Sequence, residues 1–196
     1  MQLTILEQAR FCHPRNLDNK VLRRQVKDRY AVTVRRMDNF TLCGLAAVAE
    51  LGETLKTFKH LSLFSCAQYF SIELVQQMLI DIQAGKAIRP LDFVSTVGNA
   101  ANFYIAKEFS INGSNLFIGA DEQAFEKTTL LGALEATDEP QSAVVLAIWR
   151  ETPDERCCNT LLVRCVRASD KIYPVIEGLS KVSELSAVTT PFVLQL

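Results

Sequence analysis

Apolar positions along the chain alternate between short continuous runs and stripes of helical period, and each switch marks an element. "QLTILEQAR" alternates loosely and predicts an opening strand, while "NLDNKVLRRQVKDRYAVTVRRM" is mixed and basic and reads as an irregular excursion. "DNFTLCGLAAVAELGE" predicts a helix capped by Asp38 or Asn39, apolar on most sides and stopped by Gly52. "HLSLFSCA" has the composition of a buried strand, and "YFSIELVQQMLIDIQAG" repeats its apolar residues at Phe70, Leu74, Met78 and Ile82 before Gly85. After the turn "KAIRPLD", the stretch "FVSTVGNAANFYIAKEFS" predicts one helix, whose Gly98, Ala100, Ala101 and Ala106 permit close packing. "SNLFIGADEQAFEKTTLLGALE" then begins as a short strand, passes a tight corner and continues as a helix. "SAVVLAIWRE" reads as a strand buried on both faces, and "NTLLVRCVRA" alternates like a strand near a sheet edge.

Alternating strands and helices predict an α/β domain of layered helix, sheet and helix. The length and the 48% hydrophobic content fit one domain over residues 1–196. Within it, residues 1–37 are the strand plus the basic excursion. Residues 174–196 form an apolar tail that docks at least in part and is assigned no element.

A formal net charge of -1, with no Lys/Arg run longer than a pair, carries no footprint for nucleic acid or a membrane surface. The start of the chain lacks a basic segment followed by a long apolar one, so a cytoplasmic protein is expected. Six cysteines without CxxC spacing and two histidines without HxH or HExxH spacing predict no metal site, and no cofactor is called for.

The strand-to-helix corner is where many α/β enzymes expose a reactive Ser or Cys. Here it reads Gly119, Ala120, Asp121, Glu122, Gln123, Ala124 and holds neither. Cys66 is the alternative nucleophile, since it ends a strand ahead of a helix, but it needs His60 or His13 as a base. A buried structural thiol is the simpler reading. Cys157 and Cys158 are adjacent, cannot easily bridge each other, and mark an exposed loop end.

The segments "RRMDNFTLCGLAAVAEL", "LSLFSCAQYFSIELVQQMLI" and "RPLDFVSTVGNAANFYIAKEFSINGSNLFIGADEQAFEKTTLLGALE", in that order and spacing, resemble the N-terminal half of a β-ketoacyl synthase. More narrowly, they are similar to chain-length-factor-like proteins of aryl-polyene and related bacterial polyketide clusters. The likeness runs from about Arg35 to Glu151, and its most specific block is "VGNAANFYIAKEF…NGSNLFIGA".

The resemblance implies a thiolase-like fold, present as a half-fold with a mixed sheet. Complete members stack two such halves, place the nucleophilic Cys at the corner, and take two catalytic His from the second half. That Cys position falls at or beside Asp121, and a chain of 196 residues has no room for the second half. The implied function is a non-catalytic accessory or chain-length-factor-like protein of fatty-acid or polyketide-type synthesis. Alternatives are a Cys66-dependent acyl transferase or thioesterase, or a module that binds an acyl chain or acyl carrier. Asp121, Glu122, Gln123 and Ala124 form either a relic pocket or an ordinary acidic first turn that complements the helix dipole. Asn115, Leu116, Phe117, Ile118 and Gly119 correspond to the strand through which the family dimerises, which implies a homodimer or a heterodimer with a ketosynthase. Arg23, Arg24, Arg35 and Arg36 are candidates for docking an acyl carrier protein or its phosphopantetheine, against the simpler reading of solvated charges.

Overall fold

The computed structural model describes residues 1–68, 72–119, 123–177 and 188–196. Strands β1 (Gln2–Pro14), β2 (His60–Ala67), β3 (Asn115–Gly119), β4 (Ser142–Glu151), β5 (Glu155–Cys165), β6 (Val175–Glu177) and β7 (Phe192–Gln195) form one sheet in the order β3-β2-β4-β5-β1-β7-β6. The sheet is mixed: β2 runs parallel to β3 and β4, whereas β5 is antiparallel to both β4 and β1. The parallel strands are joined by helical crossovers, as parallel pairing requires. Helices α1 (Asn19–Tyr30), α2 (Asn39–Ala49) and α3 (Gly52–Lys56) separate β1 from β2. Helices α4 (Ile72–Gln83), α5 (Pro90–Val94) and α6 (Asn99–Glu108) cross from β2 to β3, and α7 (Ala124–Glu135) crosses to β4. A 3₁₀ turn spans Ala168–Ile172.

One face of the sheet carries α2 and α6, with α1 outside α2; the other carries α7. This is the layered helix, sheet and helix arrangement expected. Every residue of α2 from Phe40 to Val48 is buried, because α1 and α6 cover the sides that the sheet does not. Asp38 caps α2 by accepting from the Thr41 amide at 2.9 Å. A register shift between Ile5 and Glu7 accounts for the loose alternation of β1. Before it, Leu3 and Ile5 face α7; beyond it, Ala9 and Phe11 face α2.

Three expectations are corrected. The basic stretch after β1 is no irregular excursion but helix α1, capped by Asp18, which accepts from the Lys20 and Val21 amides. Its apolar stripe is only Leu22 and Val26, both buried, so the charges on its other faces mask the helical period in the sequence. The single helix expected from Phe93 to Ser110 is broken between α5 and α6, where the Thr96 and Val97 amides bond three residues back, to Phe93 and Val94. Strand β5 lies between β4 and β1 instead of near an edge, so Cys157 and Cys158 are buried within it and do not mark a loop end.

The tail docks in part, as expected: β7 pairs antiparallel with β1, and Phe192, Val193 and Leu194 join the core.

Candidate interaction site

Residues 120–122 lie outside the described part of the chain, and with them Asp121 and Glu122. Of the corner, Gln123 stands at the N-terminus of α7 and Ala124 is buried beneath it. Cys66 is fully buried on the α7 side of the sheet, and burial pushes its thiol up to about 11, with the Thr128 hydroxyl acting in the opposite direction. His60 sits six residues back at the exposed start of β2, about 20 Å along an extended strand. His13 is on β1, which β4 and β5 separate from β2, about 14 Å away at ordinary strand spacing. Burial also lowers the His13 pKa. The structure brings neither imidazole to Cys66.

Strand β3 pairs with β2 along one side and forms one edge of the sheet. Its position is fixed from inside by a polar relay. The Ser65 hydroxyl bonds Asn102 Oδ1 at 2.5 Å, and Asn102 Nδ2 donates to Asn115 Oδ1 at 2.8 Å. Ser65 and Asn102 are fully buried, so this chain satisfies groups that would otherwise be costly to enclose. Phe117 turns inward too. Its ring meets Phe40 edge-on at 6.3 Å and lies 6.4 Å from Trp149, and a Cβ on Gly98 would stand 2.6 Å from it. Leu116 points outward and is 40% exposed.

The crossover beside this edge is apolar and largely uncovered. Helix α4 buries no residue, and Leu79, Ile80 and Ile82 are exposed on it. Phe93 and Val94 of α5, Val97 in the turn that follows and Phe103 of α6 are exposed as well. Scattered exposed leucines need no explanation, but this many large apolar side chains in one crossover make it a candidate interaction surface.

An open cleft of about 670 Å³ lies where α4 leaves β2 and α1 follows β1. Five guanidiniums line it, from Arg15, Arg23, Arg36, Arg89 and Arg156, against three carboxylates, from Asp38, Glu73 and Asp92. Arg156 is buried at its floor, with Nε donating to Glu151 at 2.5 Å and Nη2 to Glu73 at 2.9 Å. Arg15 closes the ring, 2.6 Å from Glu73 and 3.4 Å from Glu151. Burial opposes the charge on both Glu73 and Arg156, but the opposite charges around them win: Glu73 is held below the usual glutamate value and Arg156 above the usual arginine value. Arg23 opens on this cleft and also on a shallow groove beside α1, which Arg24, Arg35, Lys20 and Lys27 line. The four arginines singled out in the sequence therefore face two adjoining basic surfaces. Arg15, Arg89 and Arg156 were missed because they come from the segment after β1, the α4–α5 connection and the start of β5, which only the fold brings together.

Among the described residues, the one grouping of metal-ligand type is Cys12, Glu155 and Cys157, but its two sulfurs are bonded to each other. No helix among the described residues is long and apolar enough to cross a membrane.

No family model and no curated protein matches the sequence. Solved structures do match. A chain of a ketosynthase in complex with its chain length factor from Xenorhabdus doucetiae aligns over 86% of this chain and 81% of that one, with TM-score 0.64 and 12% identity. The ishigamide ketosynthase/chain length factor aligns over 89% of this chain at TM-score 0.60 and 12% identity. A chain of a complex between a type II polyketide synthase acyl carrier protein and its ketosynthase bound to the hexaketide aligns over 83% of this chain at TM-score 0.57 and 9% identity. The alignments span 64% and 62% of the chains in the last two structures, less than two thirds of their length. The protein is thus an α/β protein of ketosynthase-like, thiolase-like fold. Within that class, the three structures above are of ketosynthase assemblies, two of them with a chain length factor.

Proposed function

We propose that this chain is a non-catalytic, chain-length-factor-like subunit that pairs with a ketosynthase in polyketide-type, aryl-polyene-type or fatty-acid-type synthesis. The observation that carries the reading is the edge strand β3, held in place from within and flanked by the apolar α4–α6 crossover, in a fold shared with chains of ketosynthase complexes. Edge strands are normally blunted by charge or proline, and "NLFIG" has neither. Pairing through it would extend the sheet across the interface, in a heterodimer with a ketosynthase or in a homodimer. The strand-to-helix corner supplies no thiol for condensation. Cys66 does not replace it, because a fully buried thiol with a pKa near 11 and no histidine beside it is unreactive at neutral pH.

Co-expression with the ketosynthases of its host, followed by affinity capture and light scattering, tests this. A stoichiometric complex is expected for the wild type. Leu116→Lys, which puts a charge on the exposed side of β3, is expected to lose the ketosynthase. A wild-type monomer at micromolar concentration, recovered without a ketosynthase, overturns the reading.

The basic surfaces around α1 fit a second, weaker contact with an acyl carrier protein, whose phosphopantetheine phosphate would meet the guanidiniums of Arg23 and Arg36 and whose acidic surface would meet Arg24 and Arg35. The double variant Arg24→Glu, Arg35→Glu is expected to weaken carrier binding by about tenfold at low salt, and by less at high salt. Unchanged titration curves for the variant would remove the carrier from this surface.

A further inference from the structure

The end of β1 and the start of β5 hold a cysteine pair that the proposed function does not use. Cys12 and Cys157 face each other across the antiparallel ladder, with Cα atoms 4.1 Å apart, and are joined as a disulfide. Arg10, two residues before Cys12, lays its guanidinium against both sulfurs. Its Nε donates to Cys12 Sγ at 3.1 Å and its Nη2 to Cys157 Sγ at 3.2 Å, while Glu155 pairs with the same Nη2 at 3.5 Å. Cys12 is partly exposed and opens on a shallow depression with Thr152, Asp154 and Glu155; Cys157 is only 2% exposed. Of the other four cysteines, Cys43, Cys66 and Cys158 are buried, and burial raises all three thiols; Cys165 is half-buried, with its thiol against the Ala136 carbonyl at 3.0 Å.

We propose that Cys12 and Cys157 form a thiol-disulfide exchange site, reduced by a dithiol and with Arg10 stabilising the departing thiolate. The asymmetry of exposure sets the order of steps. A thiolate of the dithiol attacks Cys12, the accessible sulfur; a mixed disulfide forms, the bond between Cys12 and Cys157 breaks, and its electron pair leaves on Cys157. The Arg10 guanidinium, already hydrogen-bonded to that sulfur, holds the new charge, which makes Cys157 a good leaving group. The second thiol of the reductant then gives up its proton and attacks the mixed disulfide. It leaves as its own disulfide and frees Cys12 as a thiolate that takes up a proton. Two electrons pass from the dithiol to the cystine. The bond that opens ties the end of β1 to β5, three residues before Arg15 enters the charged ring of the cleft.

The test is site-resolved alkylation. Native wild-type and Arg10→Gln proteins are treated anaerobically with dithiothreitol, sampled at intervals into excess iodoacetamide and digested, and each cysteine peptide is quantified. Without reductant, Cys12 and Cys157 are expected to be unreactive. After dithiothreitol without denaturant, Cys12, the accessible sulfur, is expected to become alkylated, and in Arg10→Gln about tenfold more slowly, because the thiolate departing on Cys157 loses its donor. Silence at Cys43, Cys66 and Cys158 shows that each protein remains folded. Equal opening rates in the two folded proteins, or a cystine that dithiothreitol opens only after unfolding, overturns the proposal.

Discussion

Replacing Asp170 with alanine is expected to cost about 3–5 kcal/mol of stability at neutral pH, among the largest losses any single substitution causes here. The carboxylate is 1% exposed and accepts four close hydrogen bonds. Arg164 donates to both its oxygens at 2.7 Å, the Thr4 hydroxyl at 2.6 Å, and the Arg167 amide at 2.9 Å. Truncation leaves the Arg164 guanidinium buried without its anion, and the desolvation penalty of that charge, more than the lost contacts, sets the size of the effect. These bonds tie the 3₁₀ turn to β1 and β5, so the turn and β6 beyond it should loosen first.

The same site fixes the pH dependence. Burial works to raise the Asp170 pKa, but the Arg164 and Thr4 hydrogen bonds prevail and hold it well below the ordinary carboxylate range. A carboxylate depressed in the folded state stabilises fully above its unfolded pKa of ~3.9, and that contribution fades as the pH falls below it. Urea unfolding at neutral pH and at stepwise lower pH checks both points. The gap between wild type and Asp170→Ala should be widest at neutral pH and shrink on acidification below ~4. A constant gap would show that packing, not ionisation, carries the effect.

Gly44→Ala is expected to destabilise by about 1–3 kcal/mol or more, although on an exposed helix the same change would stabilise. A Cβ on Gly44 would stand 2.1 Å from the Trp149 ring. The ring has no room to move: it stacks on Phe40 at 4.5 Å, and its Nε1 donates to the Phe40 carbonyl at 3.0 Å. Displacing it also disturbs Phe117, which rests on the same aromatic pair and seats the edge strand. Trp149 is the sole tryptophan, so its emission reports the change directly. A blue-shifted, wild-type-like spectrum together with a raised melting temperature would show that the helix tolerates the methyl group. The expected result is a red-shifted spectrum, a lower melting temperature and weaker capture of a ketosynthase.

Local chemistry placed most of the elements. Asp38 capping α2, the buried runs of β2 and β4, and the strand-to-helix passage through β3 into α7 were all legible, because each depends on residues close together in sequence. α1 was not, since a helix needs only two buried residues to dock and its remaining positions follow the solvent. The rank of β5 in the sheet was hidden for a related reason. A strand buried on both faces and a strand alternating near an edge differ in their neighbours more than in their own composition.

The sequence by itself determined the alternation of strands and helices, the lack of a thiol at the corner, and the composition of an edge strand without charge or proline. Tertiary structure alone decided the rest. It turned Phe117 inward and left Leu116 out, gathered Arg15, Arg23, Arg36, Arg89 and Arg156 around one cleft, and set Cys12 opposite Cys157, 145 residues away, beneath Arg10. The physical reason is common to all three. Side-chain direction and charge proximity depend on register and packing between distant segments, and neither composition nor periodicity encodes these within any one window of the chain.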